Sequence, residues 1–212
     1  MPAARIHSHV HEASREHSIY VLLTDTGTLF TKLIKGFTGA PYNHASIALD
    51  AGLNELYSFG RKTANNPLFA GFVREDVYTG TFAHYPATSC ALLRLEATPE
   101  QRQAVKEVIS RFQQSSENYH YHLLGLLGFL LKRPIESDHA YFCSQFVADT
   151  LRQSGFELWD RSPALISPDD FLRHGSVEIL YEGDLYDYPL LDEFRLRQAN
   201  IYQTRTVARY VS

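Results

Sequence analysis

Apolar positions in this chain switch between two periods. Cys143, Phe146, Val147, Thr150 and Leu151 recur at i, i+3, i+4, i+7 and i+8, which places them on one face of an α-helix. Gly155 then Phe156 suit the two positions just past a helix end, so the spacing predicts a helix of about four turns stopping near Ser154. Ala104, Val105, Val108, Ile109 and Phe112 repeat the helical pattern. Ahead of them, Thr98, Pro99 and Gln101 form an N-cap, a first-turn proline and a capping box. Leu29, Phe30, Leu33, Ile34 and Phe37 predict a further helix after Thr26, ended by Gly36 and Gly39. Ser167 followed by Pro168 predicts a short one. Strands are predicted at 19–24, 42–49, 55–59, 72–77, 89–95 and 177–181, with a turn at 50–53 closing a hairpin. No charge occurs from Leu123 to Leu131. That run is too short to span a bilayer. It reads as a buried helix beside the Cys143 helix, with acyl-chain or membrane-surface contact as the alternative. Both periods together predict an α+β fold.

Composition narrows the classes. Of 212 residues, 44% are hydrophobic and 21% charged, with a net charge of -4. This is ordinary for a soluble globular chain, and it lacks the basic footprint of a nucleic-acid binder. The only two cysteines, Cys90 and Cys143, make no disulfide framework and fit a reducing compartment. The first residues show no apolar leader and no run reaches membrane-span length, so a cytoplasmic protein is expected. Residues 1–17 read as a polar arm and 18–212 as one domain, with 182–212 as a C-terminal extension. The loose alternation at 201–211 suits a final edge strand or an arm to a second subunit in a homodimer. His7, His9 and His11 would line one side of a strand, an arrangement open to a metal. A plain polar arm is the preferred reading, so no metal and no cofactor are expected.

The chemistry centres on Cys143. In the first turn of a helix, unpaired N–H groups and the dipole favour thiolate, the nucleophilic form. A cysteine on an apolar face is otherwise a small buried hydrophobe, which is how Cys90 reads among Ala91, Leu92 and Leu93. What sets Cys143 apart is a second stretch, Tyr42-Asn43-His44-Ala45-Ser46-Ile47-Ala48-Leu49-Asp50. Counting out from the turn places His44 near Ser58 and Phe59.

Together the His44 stretch and Phe142-Cys143-Ser144-Gln145-Phe146-Val147 resemble the NlpC-type papain-like cysteine hydrolases in their circularly permuted branch, which is also related to lecithin-retinol acyltransferase. There the histidine strand precedes the nucleophile helix, as here. The resemblance covers roughly residues 18–175 and implies a permuted papain-like fold, with an antiparallel sheet packed against the Cys143 helix. It implies Cys143 as nucleophile, His44 as general base and a polar residue on the return strand to orient the imidazole. Ser58 fits that last role best, with Glu55 as the alternative. The oxyanion would be held by the Cys143 N–H and one more donor, Tyr42 or Thr24. Tyr42, Arg61, Tyr121 and Gln145 are the substrate-binding candidates, Arg61 with Lys62 suiting a carboxylate or phosphate. The implied reaction is hydrolysis of a small peptide, amide or lipid ester through a thioester acyl-enzyme. An acyltransferase, an inactive binding module of the same fold and a metalloprotein remain the other classes.

Overall fold

The computed structural model describes residues 17–27, 40–61, 70–114, 120–121 and 140–201. The expected helix at 29–37, the apolar segment 123–131, the histidines at 7, 9 and 11, and the tail 202–212 lie outside the described residues. So do the side chains of Arg61 and Tyr121.

The framework is α+β. Strands β1 (Ile19–Asp25), β2 (His44–Ala48), β3 (Leu56–Arg61), β4 (Ala70–Glu75), β5 (Ser89–Leu95) and β8 (Glu178–Asp184) form one sheet in the order β4-β3-β2-β1-β5-β8. Every pairing in it is antiparallel. β1 lies inside the sheet and all seven of its residues are buried. That is why its sequence is a continuous apolar run rather than an alternating one. Two short strands, β6 (His120–Tyr121) and β7 (Ala140–Tyr141), pair in parallel. β7 leads directly into the cysteine helix. Among the described residues the α-helices are α1 (Gly80–His84), α2 (Pro99–Gln114), α3 (Cys143–Gln153), α4 (Pro168–Leu172) and α5 (Glu193–Gln198).

Helices α2 and α3 cover one face of the sheet. Val105, Val108, Ile109 and Phe112 of α2, with Phe146, Val147 and Leu151 of α3, pack on Val21, Leu23, Ile47 and Phe59. An aromatic cluster sits at the centre. Phe146 lies 5.3 Å from Phe59, 5.6 Å from Phe72 and 5.1 Å from Phe112, ring centre to ring centre. These are edge-to-face or tilted contacts, the favourable geometries for aromatic pairs.

The other face is covered by the chain beyond β8. Leu185, Tyr186, Tyr188, Leu191, Leu196 and Ile201 pack on Tyr20, Leu22, Ala48, Leu56 and Leu92. The stretch 185–201 is therefore a layer of the fold, where the sequence pattern suggested an extension. Its tyrosines explain why it reads as polar. Their rings are buried while Tyr186 Oη donates to the Val77 carbonyl at 2.8 Å and Tyr188 Oη to the Ala51 carbonyl at 2.9 Å. A tyrosine satisfied in this way fills a core like any large apolar residue.

Local sequence rules account for the element ends. Thr98 and Gln101 form the expected capping box, with N–H···O contacts of 3.0 and 3.1 Å. Ser167 and Asp170 form another on α4. α3 ends in a Schellman motif: Phe156 N–H donates to Leu151 O at 3.0 Å and Gly155 N–H to Arg152 O at 3.1 Å. Gly155 has φ +82, a region where a Cβ is costly. Gly155→Ala is expected to destabilise the fold by about 1–2 kcal/mol, read as a lower urea midpoint at unchanged slope. An unchanged midpoint would mean that the motif is not needed to stop the helix.

Candidate active site

The hairpin carrying His44 is longer-looped than the sequence count assumed. Leu49 N–H donates to Glu55 O at 3.0 Å, and the Asp50 carboxylate accepts from the N–H groups of Asn54 and Glu55. Leu53 takes φ 59. The register is Ile47↔Tyr57 and Ala48↔Leu56. Extending it brings His44 opposite Gly60 rather than Ser58 or Phe59. A Cβ on Gly60 would stand 3.4 Å from His44 Cε1 and 3.5 Å from Glu75 Oε1. The missing side chain leaves room for both groups.

Glu75, the last residue of β4, holds the imidazole. Its Oε1 is 2.9 Å from His44 Nε2. Ser46, two residues after His44 and so on the same side of β2, donates from Oγ to Glu75 Oε2 at 2.5 Å and lies 3.2 Å from His44 Nε2. The orienting contact expected of Ser58 or Glu55 is thus made by Glu75. Ser58 is fully buried nearby. Its hydroxyl helps to keep Glu75 ionised, though it makes no well-formed hydrogen bond among the described residues. Glu55 belongs to the turn, across from Leu49.

Cys143 is the first residue of α3 and is 8% exposed. Its thiol and the His44 imidazole are close enough to shift each other's pKa. Since Glu75 occupies Nε2, Nδ1 is the nitrogen left for sulfur. Cys143 Sγ also lies 3.9 Å from the Asn43 carbonyl. The Asn43 side chain is tied to Asp25 Oδ1 at 2.9 Å.

The electrostatics follow from this geometry. Burial alone would raise the Cys143 thiol, but the hydrogen bond and charge of His44, then the N–H groups of Ala45 and Ser144, outweigh it and hold the pKa below the thiol range. Burial would lower His44. The Glu75 charge and the Cys143 contact reverse that and raise it to about 10. For Glu75, burial is outweighed by the charge and hydrogen bond of His44 and by the hydroxyls of Ser46 and Ser58, so its carboxyl is held down. Each group favours the charged form of the next, as expected for a thiolate–imidazolium–carboxylate row. Cys90 makes the contrast. Burial, followed by the charges of Asp184 and Glu182, pushes it up to about 12.

The remaining candidates divide. Tyr42 does not offer its hydroxyl to this site. The phenol donates to Glu182 Oε1 at 2.8 Å and lies 3.3 Å from the Cys90 carbonyl. Its ring belongs to the main core. Thr24 is fully buried, its carbonyl accepting from Asn43 N–H at 3.2 Å. Gln145 lies in the first turn of α3 but is 6% exposed, with Oε1 buried and unpartnered among the described residues. Arg61 ends β3 and Tyr121 lies in β6, next to the strand that enters α3. Glu75 and Ser46 were missed from sequence. The available signal was a glutamate inside the predicted strand 72–77, hidden between Arg74 and Asp76.

Comparison with protein-family models and with curated proteins finds no match to this chain. Among the described residues, no helix is long and apolar enough to cross a membrane.

Proposed function

We propose that this protein is a cysteine hydrolase of permuted papain-like fold, cleaving an amide or ester through a thioester intermediate. The observation that carries the reading is the row Cys143–His44–Glu75, with Cys143 at a helix N-terminus. The chain order, histidine strand before nucleophile helix, supports the permuted assignment. A serine as third residue would favour an inactive module of this fold; a carboxylate in that place favours catalysis.

In this mechanism the Cys143 thiolate attacks the substrate carbonyl carbon. The oxyanion forms beside the N–H at the start of α3. His44, protonated, gives its proton to the leaving amine or alcohol as the C–N or C–O bond breaks, leaving a thioester. Neutral His44 then takes a proton from water, whose oxygen attacks the thioester. The carboxylic acid departs and the thiolate is restored. Glu75 stays ionised and holds the imidazole.

The pH dependence tests this. As pH falls through the lowered pKa of Cys143, sulfur gains a proton and both alkylation and hydrolysis stop. As pH rises through about 10, His44 loses its proton; hydrolysis then falls for want of an acid while alkylation persists. Iodoacetamide should therefore label Cys143 well below the usual thiol pKa of about 8.5, and leave Cys90 untouched in the folded protein. His44→Ala should return Cys143 to the ordinary range. Labelling of Cys143 only near pH 8.5 in the wild type would sink the catalytic reading. A panel of peptide, amide and ester substrates, with mass detection of the acylated cysteine, then identifies the leaving group.

A further inference from the structure

The chain leaves β4 immediately after Glu75, and the next three residues are each held by the C-terminal layer. Arg195 Nη2 donates to Asp76 Oδ1 at 3.1 Å and Oδ2 at 2.9 Å. Val77 O accepts from Tyr186 Oη at 2.8 Å. Tyr78 Oη accepts from the Asp192 N–H at 2.7 Å. The Arg195 guanidinium also lies over the Tyr78 ring, 3.9 Å from its centre, a cation–π contact. Asp76 tightens the turn from within, its Oδ1 accepting from Tyr78 N–H at 3.0 Å and its carbonyl from Thr79 N–H at 3.2 Å. Asp192 in turn caps α5, accepting from Phe194 and Arg195 N–H. The cap, the helix and the turn form one connected unit.

We infer that Arg195 is a positioning residue for the reaction: by clamping the Asp76–Tyr78 turn it fixes where the Glu75 carboxylate meets His44. This rests on the Cys143–His44–Glu75 reading. Glu75 is one peptide bond from the clamped residue and ends its strand, so slack in the turn moves its Cα directly. The distance at stake is the 2.9 Å contact with His44 Nε2, and catalysis is steeply sensitive to misplacements of about 1 Å. The clamp adds little to overall stability. Arg195 and Asp76 side chains are each 38% exposed, and ion pairs of that exposure contribute little. What the pair does supply is a fixed geometry: a guanidinium planar enough to bond Asp76 and stack on Tyr78 together, which lysine cannot reproduce.

The test is the pH profile of Cys143 alkylation in wild type, Glu75→Gln, Arg195→Ala, Arg195→Lys and the Glu75→Gln/Arg195→Ala double variant, with melting temperatures recorded alongside. Arg195→Ala should shift the profile upward, slowing labelling at pH 6 by roughly tenfold, with melting little changed. Arg195→Lys should restore only part of it. In the Glu75→Gln background the Arg195 change should add nothing, because its effect passes through Glu75. An unshifted Arg195→Ala profile, or an equal shift in both backgrounds, overturns the proposal. If Arg195→Ala fails to fold, Asp76→Asn removes the charge at constant shape and is held to the same two outcomes. A wild-type profile that Glu75→Gln leaves in place overturns the catalytic reading itself, a result visible before any Arg195 variant is made.

Discussion

Glu75→Gln is expected to reduce hydrolysis roughly 10²- to 10⁴-fold while the fold persists. The substitution keeps the shape and removes the charge. Three consequences converge. The imidazolium loses the carboxylate that holds its pKa up to about 10, so it becomes a poorer partner for the thiolate. Ser46 loses the anionic oxygen it now bonds at 2.5 Å. The tautomer also changes: a carboxylate can only accept, so it fixes hydrogen on Nε2 and leaves Nδ1 to take the thiol proton, whereas an amide can donate to Nε2 and turn Nδ1–H toward sulfur. The measurement is turnover on whichever amide or ester the wild type cleaves, with Cys143 labelling as a control. Activity within threefold of wild type would remove Glu75 from the mechanism.

The largest effect on stability is expected at Phe146. Its ring is fully buried and touches Phe59, Phe72 and Phe112 with centres 5.1–5.6 Å away. It lies one helical turn beyond Cys143 and fastens α3 to β3, β4 and α2. Phe146→Ala leaves a cavity among rings that come from different elements and cannot close together. The expected loss is about 3–5 kcal/mol, a large part of the 5–15 kcal/mol typical of a whole domain. Urea unfolding reads it as a lower midpoint at constant slope. Phe146→Leu, closer in volume, should cost about 1.5 kcal/mol or less. A loss under about 1 kcal/mol for the alanine variant would mean that α3 is anchored elsewhere.

Most elements of the fold were legible because their signals are local. The apolar spacing from Cys143 to Leu151, the Thr98–Gln101 box and the Gly155–Phe156 stop each act within a few residues, and the structure has them where expected. What was not legible depends on distance along the chain. Glu75 meets His44 across 31 residues and from a strand that is not its immediate neighbour. Nothing in the run Val73-Arg74-Glu75-Asp76 marks the middle charge as the least exposed one. Tyr42 finds its partner 140 residues away in Glu182, so its hydroxyl could not be assigned from its closeness to His44 in sequence. The hairpin register slipped because the Asp50 carboxylate closes a wider loop than the residue types suggest. The covering layer at 185–201 was obscured by tyrosines, which look polar in a sequence and pack as apolar in a core.

The placement of Cys143 on a late helix also bears on how the nascent chain survives oxidants. Its activating partners, His44 and Glu75, are made well before it, and the sulfur gains them only once α3 docks. Before docking it is an unremarkable thiol with a pKa of about 8.5, mostly protonated at neutral pH and slow to react. Peroxide would therefore spare the growing chain and react faster with finished molecules, where the lowered thiol pKa raises the ionised fraction. The sulfenic acid formed there has no second cysteine at hand, since Cys90 belongs to the opposite core of the sheet, so its repair depends on an external thiol.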